Sequence, residues 1–100
     1  MNKPLISGST IGILGGGQLG QMLSMAASRL GFKTHIFEPS ENPPASNVSS
    51  KFTRAEYDDY NALEKFASSV DIVTYEFENI PTAALDIIET QSEIFPNKEA

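Results

Sequence analysis

The stretch Thr10-Ile11-Gly12-Ile13-Leu14-Gly15-Gly16-Gly17-Gln18-Leu19-Gly20 decides the fold of this chain. A short aliphatic and β-branched run ends in three glycines, and a helical pattern begins at once. That order predicts a strand, a tight turn and a helix start, the opening of a nucleotide-type α/β fold. Gly15, Gly17 and Gly20 fit the spacing G-x-G-x-x-G. The first glycine permits the turn, the second lets a ligand approach bare backbone, and the third lets the helix pack closely on the strand. Free N–H groups at the helix start then favour an anion, usually a phosphate. Alone, the motif leaves two readings open: phosphate or nucleotide binding, or a turn that is only structural.

Working outward, residues 1–9 carry Pro4 and Ser7-Gly8-Ser9 and read as a loose lead-in. A helix is expected over 18–30, with Leu19, Met22, Leu23, Ala26, Ala27 and Leu30 on its inward face and Gly31 as a left-handed cap. Residues 33–37 read as a second strand ending at Glu38. The Pro-, Ser- and Asn-rich stretch 39–50 reads as a loop with at most a short helical turn at 45–48. A short strand follows at 51–54. Asp58 and Asp59 are N-cap candidates for a helix to Ser69 whose apolar face is Leu63, Phe66, Ala67 and Val70. Ile72-Val73-Thr74-Tyr75 reads as another buried strand. After the turn 76–80, Pro81 stands at the first position of a helix to Thr90, with Ala84, Leu85 and Ile88 facing inward. Ile94-Phe95 reads as a last short strand and Pro96-Asn97-Lys98 as another helix start. This alternation predicts a doubly wound, mostly parallel sheet over 10–100, and the stop within a helix start suggests a piece of a longer protein.

The composition narrows the function. One hundred residues make one small domain. A net charge of −6 offers no basic stripe for nucleic acid or for an anionic membrane, and reads as solubility. With no cysteine, disulfides, thiolate catalysis and cysteine zinc sites are excluded. His35 is the single histidine, which argues against a histidine metal cluster or a Ser-His-Asp triad, and its alternation makes it a sheet residue. No run approaches the roughly 20 apolar residues of a membrane span, and the start lacks a secretory pattern. A cytoplasmic protein is expected.

In sheets of this kind ligands sit beyond the carboxyl ends of the strands. The glycine loop, Glu38 and Glu76-Phe77-Glu78-Asn79 converge there. Glu38 lies 18 residues beyond Gly20, close to the ribose-binding carboxylate of a dinucleotide domain, which supports a nicotinamide reading. An exposed acid before Pro39 explains it equally well. Glu76, at the strand end, is the better ligand contact, and Glu78 reads as a helix-dipole or surface charge. A paired-carboxylate hydrolase lacks a third polar partner. A magnesium site made of these acids alone lacks the phosphates that usually complete one.

Ile11-Gly12-Ile13-Leu14-Gly15-Gly16-Gly17-Gln18-Leu19-Gly20-Gln21-Met22 closely resembles the amino-terminal signature of the 5-(carboxyamino)imidazole ribonucleotide synthases, ATP-grasp enzymes. Asp71-Ile72-Val73-Thr74-Tyr75-Glu76-Phe77-Glu78-Asn79-Ile80 resembles their second signature, and Pro39, Pro43-Pro44-Ala45 and Tyr57-Asp58-Asp59 also fit. The resemblance runs over 10–96 and implies a Rossmann-like, pre-ATP-grasp first domain. It implies an enzyme that carboxylates 5-aminoimidazole ribonucleotide with bicarbonate and MgATP, through carboxyphosphate, in purine biosynthesis, and that pairs as a homodimer. The ATP site belongs to later domains, so this chain alone is expected to be inactive. Carried over residue by residue, Gln18 and Leu19 contact the ribonucleotide through the helix start. Gly15, Gly16, Gly17 and Gly20 shape that approach, and Glu76 accepts hydrogen bonds from ribose or amine. Glu38 has no firm role in the family. Two other classes stay open: a nicotinamide-binding dehydrogenase or redox-sensor domain, favoured by Glu38, and a chain that contributes mainly a subunit interface.

Overall fold

The computed structural model describes residues 8–75 and 80–95. Strand β1 (Thr10–Leu14) is the centre of the sheet, paired in parallel with β2 (Lys33–Glu38) on one side and β4 (Ile72–Tyr75) on the other. Strand β3 (Lys51–Arg54) lies outside β2, so the order is β3-β2-β1-β4, all parallel. Helix α1 (Gln18–Arg29) joins β1 to β2, α2 (Tyr60–Ser68) joins β3 to β4, and α3 (Thr82–Glu89) follows β4. The doubly wound, parallel architecture is therefore as the alternation predicts. The expected last strand is reduced to one parallel bridge, Val73 with Ile94.

Alternation along β1 divides the apolar residues between two faces. Leu14 joins Phe37, Leu63, Phe66, Ala67, Val73, Ala84, Leu85 and Ile88 in the larger core, beneath α2 and α3. Ile13, Ile36 and Ala45 form a smaller core on the other face, with Ile11, Leu23 and Phe52 against it. Helix starts and stops follow their local chemistry. Asp59 caps α2, its Oδ1 accepting from the Ala62 N–H at 3.1 Å. After α1, Gly31 takes a φ of +87°, the Gly31 N–H bonds to the Ser28 carbonyl, and the Phe32 N–H bonds to that of Ala27. That is the expected left-handed helix ending.

Three expectations need correction. The inward face of α1 is Gly20, Ser24 and Ala27, with Leu23 half-buried; Leu19, Met22, Ala26 and Leu30 are exposed. Apolar residues surround most of this helix, and only the row of small ones lets it approach the sheet closely. Pro81 stands one position earlier than expected, as the N-cap of α3, where its carbonyl accepts from the Ala84 N–H. Gly8 and Ser9 are not loose, since the Gly8 N–H bonds to the Gly31 carbonyl and the Ser9 carbonyl accepts from Lys33. The expected helix start at 96–98 lies outside the described residues.

His35 is buried in β2. The Ser69 hydroxyl donates to the Phe66 carbonyl, so it accepts from His35 Nδ1 at 3.2 Å, and Thr53 then donates to Nε2 at 2.6 Å. The ring also meets Phe66 edge-on at 4.9 Å. This is a neutral histidine wedged into the core as a polar tie between β2, β3 and the end of α2.

Candidate functional site

The carboxyl ends of β1 and β2 carry two loops that are bonded to each other. Gly15 turns the chain out of β1 with a φ of +109°, a conformation open to glycine, and its N–H bonds to the Phe37 carbonyl at 2.9 Å. Next, the Gly16 N–H donates to Glu38 Oε1 at 2.8 Å, while Oε2 accepts from the Ser40 N–H at 3.0 Å. The Gly16 carbonyl accepts from the Ala45 N–H at 2.9 Å. Residues 39–47 therefore fold over the glycine loop, placing buried Pro43 against Gly16. The expected short helical turn is there, a 3-10 turn at Pro44–Asn47. Arg54 holds the outer side of this loop, its Nε donating to the Pro39 carbonyl and its Nη1 pairing with Glu41 at 3.4 Å.

Gly17 is the N-cap of α1, without a side-chain cap and with no acid in the first turn. By position, the N–H groups of Gln18, Leu19 and Gly20 have no helical acceptor; the ladder starts with the Gln21 N–H on the Gly17 carbonyl. Partial positive charge therefore gathers at this end of the helix, where an anion is stabilised. Gly20 is buried against the turn: a Cβ there would lie 2.6 Å from the Gly15 carbonyl oxygen. The six predicted loop residues thus come together in two roles. Gly15, Gly16 and Gly20 are buried and shape the turn, whereas half-buried Gly17 and exposed Gln18 and Leu19 present its surface. Glu76 lies outside the described residues; Tyr75 before it pairs with Leu14 in register, so β4 ends beside the glycine loop.

Glu38, for which the sequence left a ribose contact and an exposed acid equally open, does neither in this fold. Both carboxylate oxygens accept backbone N–H groups of the chain itself, so they are engaged within the two loops instead of facing a ribose. The nicotinamide reading loses its main support there. Its spacing from the glycines signalled proximity, but not the partner.

The described residues hold no group of three or more His, Asp or Glu side chains able to take a metal ion. Lys33 and Lys51 begin their strands, at the end of the sheet opposite the glycine loop. No helix among the described residues is long and apolar enough to cross a membrane.

A family model described as the ribonucleotide synthetase preATP-grasp domain matches residues 8–100. An N5-carboxyaminoimidazole ribonucleotide synthase of Brucella melitensis is 49% identical over 89 residues, covering 89% of this chain and 25% of that protein. The crystal structure of an N5-carboxyaminoimidazole synthetase from Staphylococcus aureus complexed with ADP superimposes with a TM-score of 0.86 at 42% identity, covering 94% of this chain and 25% of that one. An Aspergillus clavatus N5-carboxyaminoimidazole synthase, in complex with ADP and 5-aminoimidazole ribonucleotide, matches with a TM-score of 0.79 at 31% identity, over 91% of this chain and 24% of that one. The chain spans about a quarter of the length of these three relatives. The family model over residues 8–100 and relatives of 42–49% identity that match nearly its whole length agree: the chain belongs to the ribonucleotide synthetase pre-ATP-grasp domain family.

Proposed function

We propose that this chain is the ribonucleotide-binding first domain of an ATP-dependent ligase of purine biosynthesis that carboxylates the exocyclic amine of 5-aminoimidazole ribonucleotide with bicarbonate. The observation that carries this reading is the bare first turn of α1, an anion-favouring surface framed by a loop that the chain holds in place itself. In that reading the N–H groups of Gln18 and Leu19 hold the phosphate of the ribonucleotide. Glu76, next after β4, accepts hydrogen bonds from the ribose or the amine and orients the amine nitrogen. MgATP is handled by parts of the enzyme outside this chain, where its γ-phosphoryl group passes to bicarbonate to give carboxyphosphate and ADP. The amine nitrogen then bonds to the carboxyl carbon as phosphate leaves and the nitrogen gives up a proton. The chain alone performs none of these steps. The complete enzyme works in the cytoplasm as a homodimer.

The test is ADP release by the full-length protein that carries this domain, given MgATP and bicarbonate, with and without the ribonucleotide. Strong stimulation by the ribonucleotide supports the reading, and its absence in a folded, ATP-binding protein refutes it. Within that assay, Glu76→Ala raises the ribonucleotide KM about tenfold or more, as expected for hydrogen bonds to a charged acceptor. The ATP KM moves little. Equal effects on both constants refute the role of Glu76.

A further inference from the structure

We propose that Glu38 is the positioning residue of the ribonucleotide site: by taking the Gly16 N–H it holds the glycine loop in the shape that leaves the α1 N-terminus open to a phosphate. This rests on the ribonucleotide reading above and assigns to it a residue that touches no substrate.

Three bonds hold the loop, and they differ in kind. Gly15 N–H to the Phe37 carbonyl and Ala45 N–H to the Gly16 carbonyl are backbone bonds that need no side chain. The third, Gly16 N–H to Glu38 Oε1 at 2.8 Å, depends on one side chain 22 residues away. Gly16 is buried, so water cannot readily replace that acceptor. Without it, the peptide between Gly15 and Gly16 has reason to rotate, and Gly15 has the freedom to let it. That same peptide carries the Gly15 carbonyl, against which α1 packs at Gly20. Rotation of the peptide therefore displaces the first turn of α1, and with it the N–H groups of Gln18 and Leu19. The second oxygen of Glu38, on the Ser40 N–H, fixes the carboxylate in plane and prevents it from swinging away. Glu38 is thus joined to both loops and half-buried between them.

The experiment uses the full-length protein with Glu38→Met, which keeps length and loses the acceptor, and Glu38→Gln, whose amide oxygen still accepts from Gly16 while the exposed Ser40 N–H turns to water. Expected is a rise of about tenfold in the ribonucleotide KM for Glu38→Met, equivalent to about 1.4 kcal/mol. The Gln variant stays within about threefold of the unaltered protein, with kcat and the ATP KM nearly unchanged in both. A Met variant equal to the unaltered protein overturns the proposal. So do a Gln variant as impaired as Met, and ribonucleotide and ATP constants that rise together. Amide exchange on the unaltered protein needs no variant. The Gly16 amide should be protected with and without ribonucleotide, whereas those of Gln18 and Leu19 gain protection only with it. A Gly16 amide that gains protection along with them overturns the proposal. If the ribonucleotide reading itself is wrong, the unaltered protein already shows no ribonucleotide-dependent ADP release, which separates the two failures.

Discussion

Replacement of Gly20 by alanine sets two effects of opposite sign against each other. Gly20 is the third residue of α1, and helix propensity alone favours alanine there by up to about 1 kcal/mol. The structure opposes it. An alanine Cβ would lie 2.6 Å from the Gly15 carbonyl oxygen, and real Cβ atoms essentially never come within 3.0 Å of such a neighbour. The obstacle is backbone, and its turn is held from the other side by Phe37, Glu38 and Ala45. Either α1 or the turn has to move by at least 0.4 Å, the difference between those two distances. Overpacking of this kind costs roughly 1–3 kcal/mol. Steric cost should therefore exceed the propensity gain and leave a net destabilisation of about 1 kcal/mol. For a domain of this size that lowers Tm by about 4–8 °C. Thermal unfolding followed by circular dichroism reads it, with Ala26→Gly on the exposed side of the same helix as the propensity control. A higher Tm for Gly20→Ala, as propensity alone requires, would refute the close approach of α1 to the glycine turn.

Two further stability predictions follow from polar groups inside the fold. Burial, and after it the charge of Lys51, push the His35 pKa from 6.5 down to about 4. The unfolded chain therefore binds this proton first: the stabilisation is complete above pH 6.5, falls as pH drops, and levels off below about 4. Between pH 7 and 5 this one group should remove about 2 kcal/mol. In urea titrations the stability lost between pH 7 and 5 should be larger for the unaltered chain than for His35→Gln by that amount, and equal losses would contradict the neutral, buried histidine. Ser24 faces inward from α1 with its hydroxyl buried and unpartnered among the described residues. Ser24→Ala removes that cost and improves helix propensity, so a gain of about 1 kcal/mol is expected in the same titrations. A loss of that size would mean the hydroxyl has a partner.

What the sequence reveals, and what it hides, divides along a physical line. Elements set by local rules were legible. The Asp59 cap and the Gly31 ending mark their own positions because each satisfies backbone groups within a few residues, and the glycines after β1 mark theirs because the turn needs a positive φ at Gly15. The inward face of α1 was not legible. Leu19, Met22, Leu23, Met25, Ala26, Ala27 and Leu30 surround most of that helix, so apolar periodicity cannot choose a side. The choice is made by how closely a helix can approach a sheet, and Gly20, Ser24 and Ala27 are the residues that allow it. The larger side chains are left turned outward, or toward an apolar groove lined by Ile11, Leu23, Ile72 and Phe95. The task of Glu38 was hidden for a similar reason. Its spacing placed it near the glycines, but a carboxylate serves a ribose or a backbone N–H equally well. Only the position of Gly16, 22 residues earlier, decides between them.

In the ribonucleotide reading proposed above, an acidic domain has to hold a phosphate. A net charge of −6 opposes the approach of a phosphate ester at long range. At physiological salt that opposition is screened within about 8 Å, so it acts on encounter more than on the bound state. Affinity then has to come from groups that act over one hydrogen-bond length. In that reading the first turn of α1 supplies them, because its N–H groups are oriented by the helix and their partial charges add. Such dipoles lose their value when misaimed, since no net charge remains to attract the ligand from another angle. A phosphate site that relies on lysines tolerates motion; one that relies on backbone requires a rigid loop. In the proposed ribonucleotide reading, the three bonds that hold Gly15 and Gly16, and the close packing of Gly20, are therefore conditions for binding, even though none of those groups needs to touch the ligand.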